Sequence, residues 1–249
     1  MRELKILFLS VAVARLDFLA GSNRKCVMKQ KFVLISVLCL ASAGSCLAET
    51  FSWTNTVSGD WSVSDNWTNE AGVAVAPPAG GQTNLVLNFS KVGTYTANHN
   101  LNNGFLLNQL TVGGPSLTLA GNSLTFTNSG AVLPQINQKG SLSLIISNNL
   151  VLAANTTLGG NGSGAVTLRG NLLGSGSLTK TNAGTLTLNS LTNTYSGGTI
   201  VKSGALSCGS TANTLFGSGN VTVNAGASLN LNGNNNITNA LILGAILSC

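Results

Sequence analysis

Asn182–Leu206, NAGTLTLNSLTNTYSGGTIVKSGAL, is the stretch that decides the fold. It holds two short runs of alternating character, Thr185-Leu186-Thr187-Leu188 and Thr199-Ile200-Val201, separated by corners of Gly, Asn and Ser. A period of two puts Leu186 and Leu188 on one face of a strand and the threonines on the other. Short strands with small-residue corners predict one rung of a stacked β-structure, and no catalytic group lies inside it.

Outward from this stretch the same style continues. Apolar positions fall into short runs at Leu85–Phe89, Leu106–Val112, Leu117–Leu119, Leu124–Phe126, Leu142–Ile146, Leu150–Leu152, Val166–Leu168, Leu178–Lys180, Leu206–Cys208, Val221–Val223, Leu229–Leu231 and Leu241–Leu247. Gly or Asn separates nearly all of them, and no window carries the 3.6-residue period of an amphipathic helix. The chain is therefore expected to be all-β. A sandwich or barrel needs strands of about five or six residues joined in hairpins. Runs of three to five residues, with the Leu-x-Leu pattern of 186–188 returning at Leu229–Leu231, favour a solenoid. Rungs of roughly 20 residues over about 150 residues give around seven turns, roughly 35 Å long at ~4.8 Å per strand. The expected fold is a right-handed parallel β-helix.

Residues 50–80 differ in composition. They contain all three tryptophans, Trp53, Trp61 and Trp67, with Ser58-Gly59-Asp60 and Ser64-Asp65-Asn66 between them, and Pro77-Pro78 closes the block. These features predict short strands joined by tight turns. A Trp-rich N-terminal cap over 49–84 would cover the open end of the first rung. A second reading makes Trp53, Trp61 and Trp67 a sugar-stacking platform. Asp60, Asp65 and Asn66 read as turn residues, being too few for a calcium site.

The formal charge of +6 belongs mostly to the start of the chain. Residues 1–31 carry seven basic and two acidic residues, whereas 32–249 carry five basic and four acidic ones. A body this close to neutral has no basic patch for nucleic acid. The start reads as a leader. Residues 1–27 are an upstream extension or a long n-region, so the true start is Met1 or Met28. Residues 28–48 have the form of a signal peptide, with basic Lys29 and Lys31, the apolar stretch Phe32–Leu40 and cleavage expected after Ala48. Lipidation at Cys46 is a second reading of the same region. The apolar stretch is too short to span a bilayer. Cleavage leaves Cys208 and Cys249; Cys208 shares its strand face with Leu206 and reads as a core residue, with a Cys208–Cys249 disulfide, permitted by secretion, as the alternative.

No Asp or Glu follows Glu70, and His99 is the only histidine. Acid–base chemistry on a β-helix groove, a His-based metal site and the usual nucleophile, phosphate-loop and zinc motifs all lack their residues. His99, in Asn98-His99-Asn100, reads as a polar loop residue, and Lys180 and Tyr195 as packing or surface positions. No catalytic, cofactor or metal residue is assigned, and the protein is expected not to be an enzyme.

At Gly174–Leu206 the residues form an ordered run: Gly174-Ser175-Gly176-Ser177-Leu178-Thr179-Lys180, then Gly184, Leu186 and Leu188, then Asn193-Thr194-Tyr195-Ser196-Gly197-Gly198-Thr199, then Gly204-Ala205-Leu206. This run resembles the autotransporter-associated β-strand repeat. The opening Trp53…Gly59-Asp60-Trp61-Ser62…Asn66-Trp67…Pro77 block is similar to the start of large secreted bacterial proteins that carry it. The resemblance implies a bacterial, secreted or cell-surface β-helix occupying 85–249, passenger-like, structural or adhesive. Its partners would be cell-surface glycans or other surface proteins, with no membrane insertion after signal removal. No C-terminal barrel or sorting helix is seen. The apolar stretch Leu241–Cys249 predicts an open edge prone to self-association, or a reading frame broken from something longer. The alternative function is a carbohydrate-binding module built on the Trp block.

Overall fold

The structure is a computed structural model and describes residues 47–234 and 236–244. Most of the signal-peptide region and Cys249 thus lie outside the described residues. So do residues 245–247, the end of the expected final strand.

The described chain is all-β, apart from one turn of 3-10 helix at Ser64–Asn66. It winds as a parallel β-solenoid. Seven successive turns begin with the strands Leu85–Phe89, Gln109–Val112, Gln135–Gln138, Thr156–Gly159, Leu178–Lys180, Thr199–Val201 and Val221–Val223. These strands stack into a ten-stranded sheet A, extended by Glu49–Trp53 at one end and Leu241–Leu243 at the other. An eight-stranded sheet B forms the second face, and a four-stranded sheet C lines part of the third. Among the described residues every strand-to-strand pairing is parallel except Trp67–Asn69, which runs antiparallel to Glu49–Trp53 and finishes sheet A at its N-terminal end.

The register gives the turn length. Thr156 pairs with Leu178, Leu178 with Thr199 and Thr199 with Val221, which are steps of 22, 21 and 22 residues. One turn is longer: Leu110 pairs with Ile136, a step of 26. The extra residues fall in the loop around the Ser129–Val132 bridge, outside the sheets. A stack of this kind absorbs insertions at corners because each turn touches only its neighbours.

Parallel register places like positions in columns. In sheet B, Tyr95, Leu117, Leu144, Val166, Leu186 and Leu206 lie one above another, all buried. Beside them run Ala97, Leu119, Ile146, Leu168, Leu188 and Cys208. Cys208 is a buried thiol in this column, as its spacing from Leu206 predicts. In sheet A the inward column is Leu87, Leu110, Ile136, Leu158, Lys180, Val201 and Val223. The core is this thin set of columns, each buried Leu or Val contributing about 1.5–3 kcal/mol.

Four differences from the sequence reading have physical causes. Leu106–Val112 is two strands, Phe105–Leu107 and Gln109–Val112, on different faces. Asn108 makes the corner between them, its buried amide donating to Thr127 O at 2.9 Å and Val132 O at 3.0 Å. The strands Thr94–His99, Gln135–Gln138, Thr156–Gly159 and Leu172–Leu173 were not expected, since polar or small residues such as Gln138 and Thr156 occupy inward positions. In Thr199–Val201 the polar Thr199 faces inward and Ile200 outward. His99 is a buried strand end rather than a loop residue, for the reason given below.

Candidate functional site

Three places can carry function: the aromatic cluster, the signature turn and the C-terminal end of the stack.

Trp53, Trp61 and Trp67 meet edge to face, with centroids 5.0 Å apart for Trp53–Trp67 and 5.4 Å for Trp61–Trp67. Edge-to-face contact suits the ring quadrupoles. Phe89, Tyr95 and Phe105 complete the cluster. The Trp67 indole N–H donates to Trp61 O at 3.0 Å, while those of Trp53 and Trp61 have no acceptor. All three indoles are 0% exposed, so none offers a face to a sugar. Turn chemistry holds the cluster in place: Asn66 Nδ2 donates to Asp60 O, Asn66 Oδ1 accepts from Asn55 Nδ2, and Asp60 Oδ1 accepts from Asn98 Nδ2.

His99 belongs to this cluster. Its ring lies 4.5 Å from Trp61 and 4.9 Å from Phe105. Both ring nitrogens are buried without a hydrogen-bond partner. Burial pushes its pKa down from 6.5 to about 4, outweighing the opposing influence of the nearby Asn102 backbone. No local pattern distinguishes Asn98-His99-Asn100 from a loop. Only the partners of Thr94–His99 in the neighbouring turns place the imidazole inside.

The signature turn explains itself residue by residue. Gly184 and Gly204 turn the chain into successive strands of sheet B, and Leu186, Leu188 and Leu206 fill the core columns. Gly204 has φ +68, and its Cα faces the Asn182 and Ala183 carbonyls and the Lys180 ammonium, where a Cβ would clash at 2.6 Å. Lys180 is fully buried within an aliphatic column. Its ammonium turns to the corner and donates to Asn182 O at 2.6 Å, Asn182 Oδ1 at 3.0 Å and Ser203 O at 2.9 Å. Burial draws its pKa down from 10.5 to about 8.

On the third face Asn193 replaces a strand. Its Oδ1 accepts from Leu172 N at 2.7 Å in the turn before, and its Nδ2 donates to Leu215 O at 2.6 Å in the turn after. Thr194 N also donates to Leu172 O. Tyr195 is fully buried and its hydroxyl bonds the Thr199 hydroxyl across the corner into sheet A. Burial raises the Tyr195 pKa. Gly197 packs on the preceding turn so closely that a Cβ would sit 2.3 Å from Ser177 N, and Gly198 has φ +82. The polar members of the signature thus tie three turns together.

At the C-terminal end an open hollow of about 670 Å³ is lined by Thr211, Ala212, Asn213, Asn236, Ile237 and Thr238. A largely apolar cavity of about 170 Å³ lies nearby, lined by Phe216, Val221, Leu229, Leu231, Ile237, Leu241 and the amide of Asn239. No titratable side chain lines either. Leu241, Ile242 and Leu243 are exposed on the last strand of sheet A. Among the described residues no three metal-ligating side chains converge.

Residues 178–207 match the passenger-associated-transport-repeat family. The match falls on the signature turn and agrees with the resemblance read from its residues. Comparison with curated proteins and with solved structures found no match.

Proposed function

We propose that the chain is a non-enzymatic structural module of the cell surface or secreted space, a passenger-like β-helix that supplies length and surface. One observation carries this reading. The polar groups of the signature turn that could do chemistry elsewhere, the Lys180 ammonium and the Asn193 amide, are buried and bonded to neighbouring backbone. No acidic residue lies in that turn, and its one exposed amine, Lys202, has no acid or histidine in the turn beside it. The near-neutral surface, the solenoid and the passenger-associated repeat fit the same role.

An adhesive function would use the outward Thr-, Ser- and Asn-rich faces against surface proteins or glycans. A carbohydrate-binding role for the Trp block requires an indole to reach solvent, and the packing gives it no support. Protease treatment of intact producing cells, followed by immunoblotting for the 85–244 region, tests the placement. Loss of signal with the cell interior intact is the expected result. A chain protected in intact cells and recovered with cytoplasmic markers overturns it. A glycan array read alongside tryptophan emission decides the alternative, because sugar-dependent quenching requires an accessible indole.

A further inference from the structure

The described chain contains three Asn–Gly steps, Asn103-Gly104, Asn161-Gly162 and Asn232-Gly233. At such a step the glycine nitrogen can approach the preceding side-chain carbonyl with no Cβ in the way. The fold treats the three differently. Gly104 N–H donates to Ser123 Oγ at 2.9 Å, and Asn103 Oδ1 accepts from the Ser123 backbone N–H at 3.0 Å and from its hydroxyl at 2.7 Å. Gly162 is buried and its N–H donates to Gln138 O at 2.9 Å. Asn232 and Gly233 are exposed, at the tip of a turn closed by Asn234 N–H to Leu231 O at 2.8 Å. Among the described residues the Gly233 N–H has no acceptor. Asn232 has φ +47 and is the one non-glycine among the described residues in the left-handed region, with Gly233 at φ +75. That is the geometry of an Asn-Gly turn.

We propose that Asn232 is a self-modification site, converted without an enzyme to aspartate and isoaspartate, while Asn103 and Asn161 are held inert by the fold. The Gly233 backbone nitrogen gives up its proton and adds to Cγ of Asn232, forming a five-membered imide. The Cγ–Nδ2 bond breaks, and the nitrogen leaves as ammonia with the proton Gly233 released. Water then opens the imide at either carbonyl. One product is a normal aspartyl link, and the other routes the backbone through the side chain. No oxidant or reductant is involved.

The site matters because of what the amide holds. Asn232 Nδ2 donates to Ser207 Oγ at 3.0 Å and Cys208 O at 2.7 Å, tying the last full turn to the one before it. These bonds must open for the reaction, and opening is easiest in an exposed turn. A carboxylate cannot donate, and it would face the Cys208 carbonyl oxygen with a negative charge in a region that has no other acid. Conversion therefore loosens the turn that contains Val221–Val223 and Ser228–Asn230.

The test is incubation of the purified full chain at mildly alkaline pH, with peptide mapping by mass spectrometry and isoaspartyl methyltransferase labelling at intervals. Native protein should convert at Asn232 well before Asn103 or Asn161, and the same chain in concentrated urea should convert at all three. Asn232→Gln should abolish the early acidic species. Hydrogen exchange should rise across 221–234 only in the converted fraction. Native conversion at Asn103 or Asn161 as fast as at Asn232 overturns the proposal. So does an Asn232 that stays intact while the other two convert in urea.

Discussion

His99→Phe should make this protein resistant to acid. The imidazole sits between Trp61 and Phe105 with both nitrogens unpartnered, and its pKa falls from 6.5 to about 4. Between those values the unfolded chain holds a proton that the folded chain refuses, so stability rises with pH across the window. The contribution is complete above about pH 6.5 and lost as pH falls toward 4. At about 1.4 kcal/mol per pKa unit, the loss is about 3 kcal/mol. Carboxylates dominate acid unfolding in most proteins, but the described chain has only Glu49, Asp60, Asp65 and Glu70. One histidine should therefore set the acid limb. All three tryptophans lie in or beside its pocket, so their emission reports the local event. In urea titrations followed by tryptophan emission, the wild-type midpoint should drop by about 1–3 M between neutral pH and about pH 4, for a slope of about 1–3 kcal/mol/M. The His99→Phe midpoint should stay flat and at neutral pH match or exceed wild type, because it removes two buried unsatisfied nitrogens. A flat wild-type profile, or an acid slope that survives in His99→Phe, refutes the reasoning.

Further outcomes follow from the signature turn. The Lys180 pKa is lowered to about 8, so its burial should make stability climb by up to about 3 kcal/mol from about pH 8 to 10, a rise that Lys180→Met should lose. The buried Cys208 thiol, its pKa raised by burial, pulls stability down in both chains at the upper end of that window, so the difference between the two profiles is the readout. Above about pH 10 the raised Tyr95 pKa of about 12 works the other way, since the folded state then resists an ionisation the unfolded chain makes freely. Asn193→Ala strands Leu172 N–H and Leu215 C=O and should cost about 2–5 kcal/mol by chemical denaturation. Gly197→Ala should raise hydrogen exchange across 174–200, because its Cβ would meet Ser177 N at 2.3 Å. Gly80→Ala, with nothing within 4 Å, should not.

Much of this molecule is local and therefore readable in order. Leu186, Leu188 and Leu206 alternate with small polar residues because a strand has two faces, and the repeat of that pattern specifies a stack. The tryptophans were legible as a cluster from their spacing and the turn residues between them. The ordered run from Leu178 to Leu206 pointed to a repeat on residue identity alone.

What stayed illegible depends on contacts with other faces and neighbouring turns of the stack. Nothing near His99 says that Trp61 and Phe105 will enclose it. Nothing near Lys180 says that it stands between Leu158 and Val201 in an aliphatic column. Nothing near Asn193 says that one amide will span Leu172 and Leu215. Period and composition determine that the chain is a β-stack, because they act within a strand and its corner. The fate of each buried polar group is decided by the turn above and the turn below, so it becomes definite only when the turns are stacked in register.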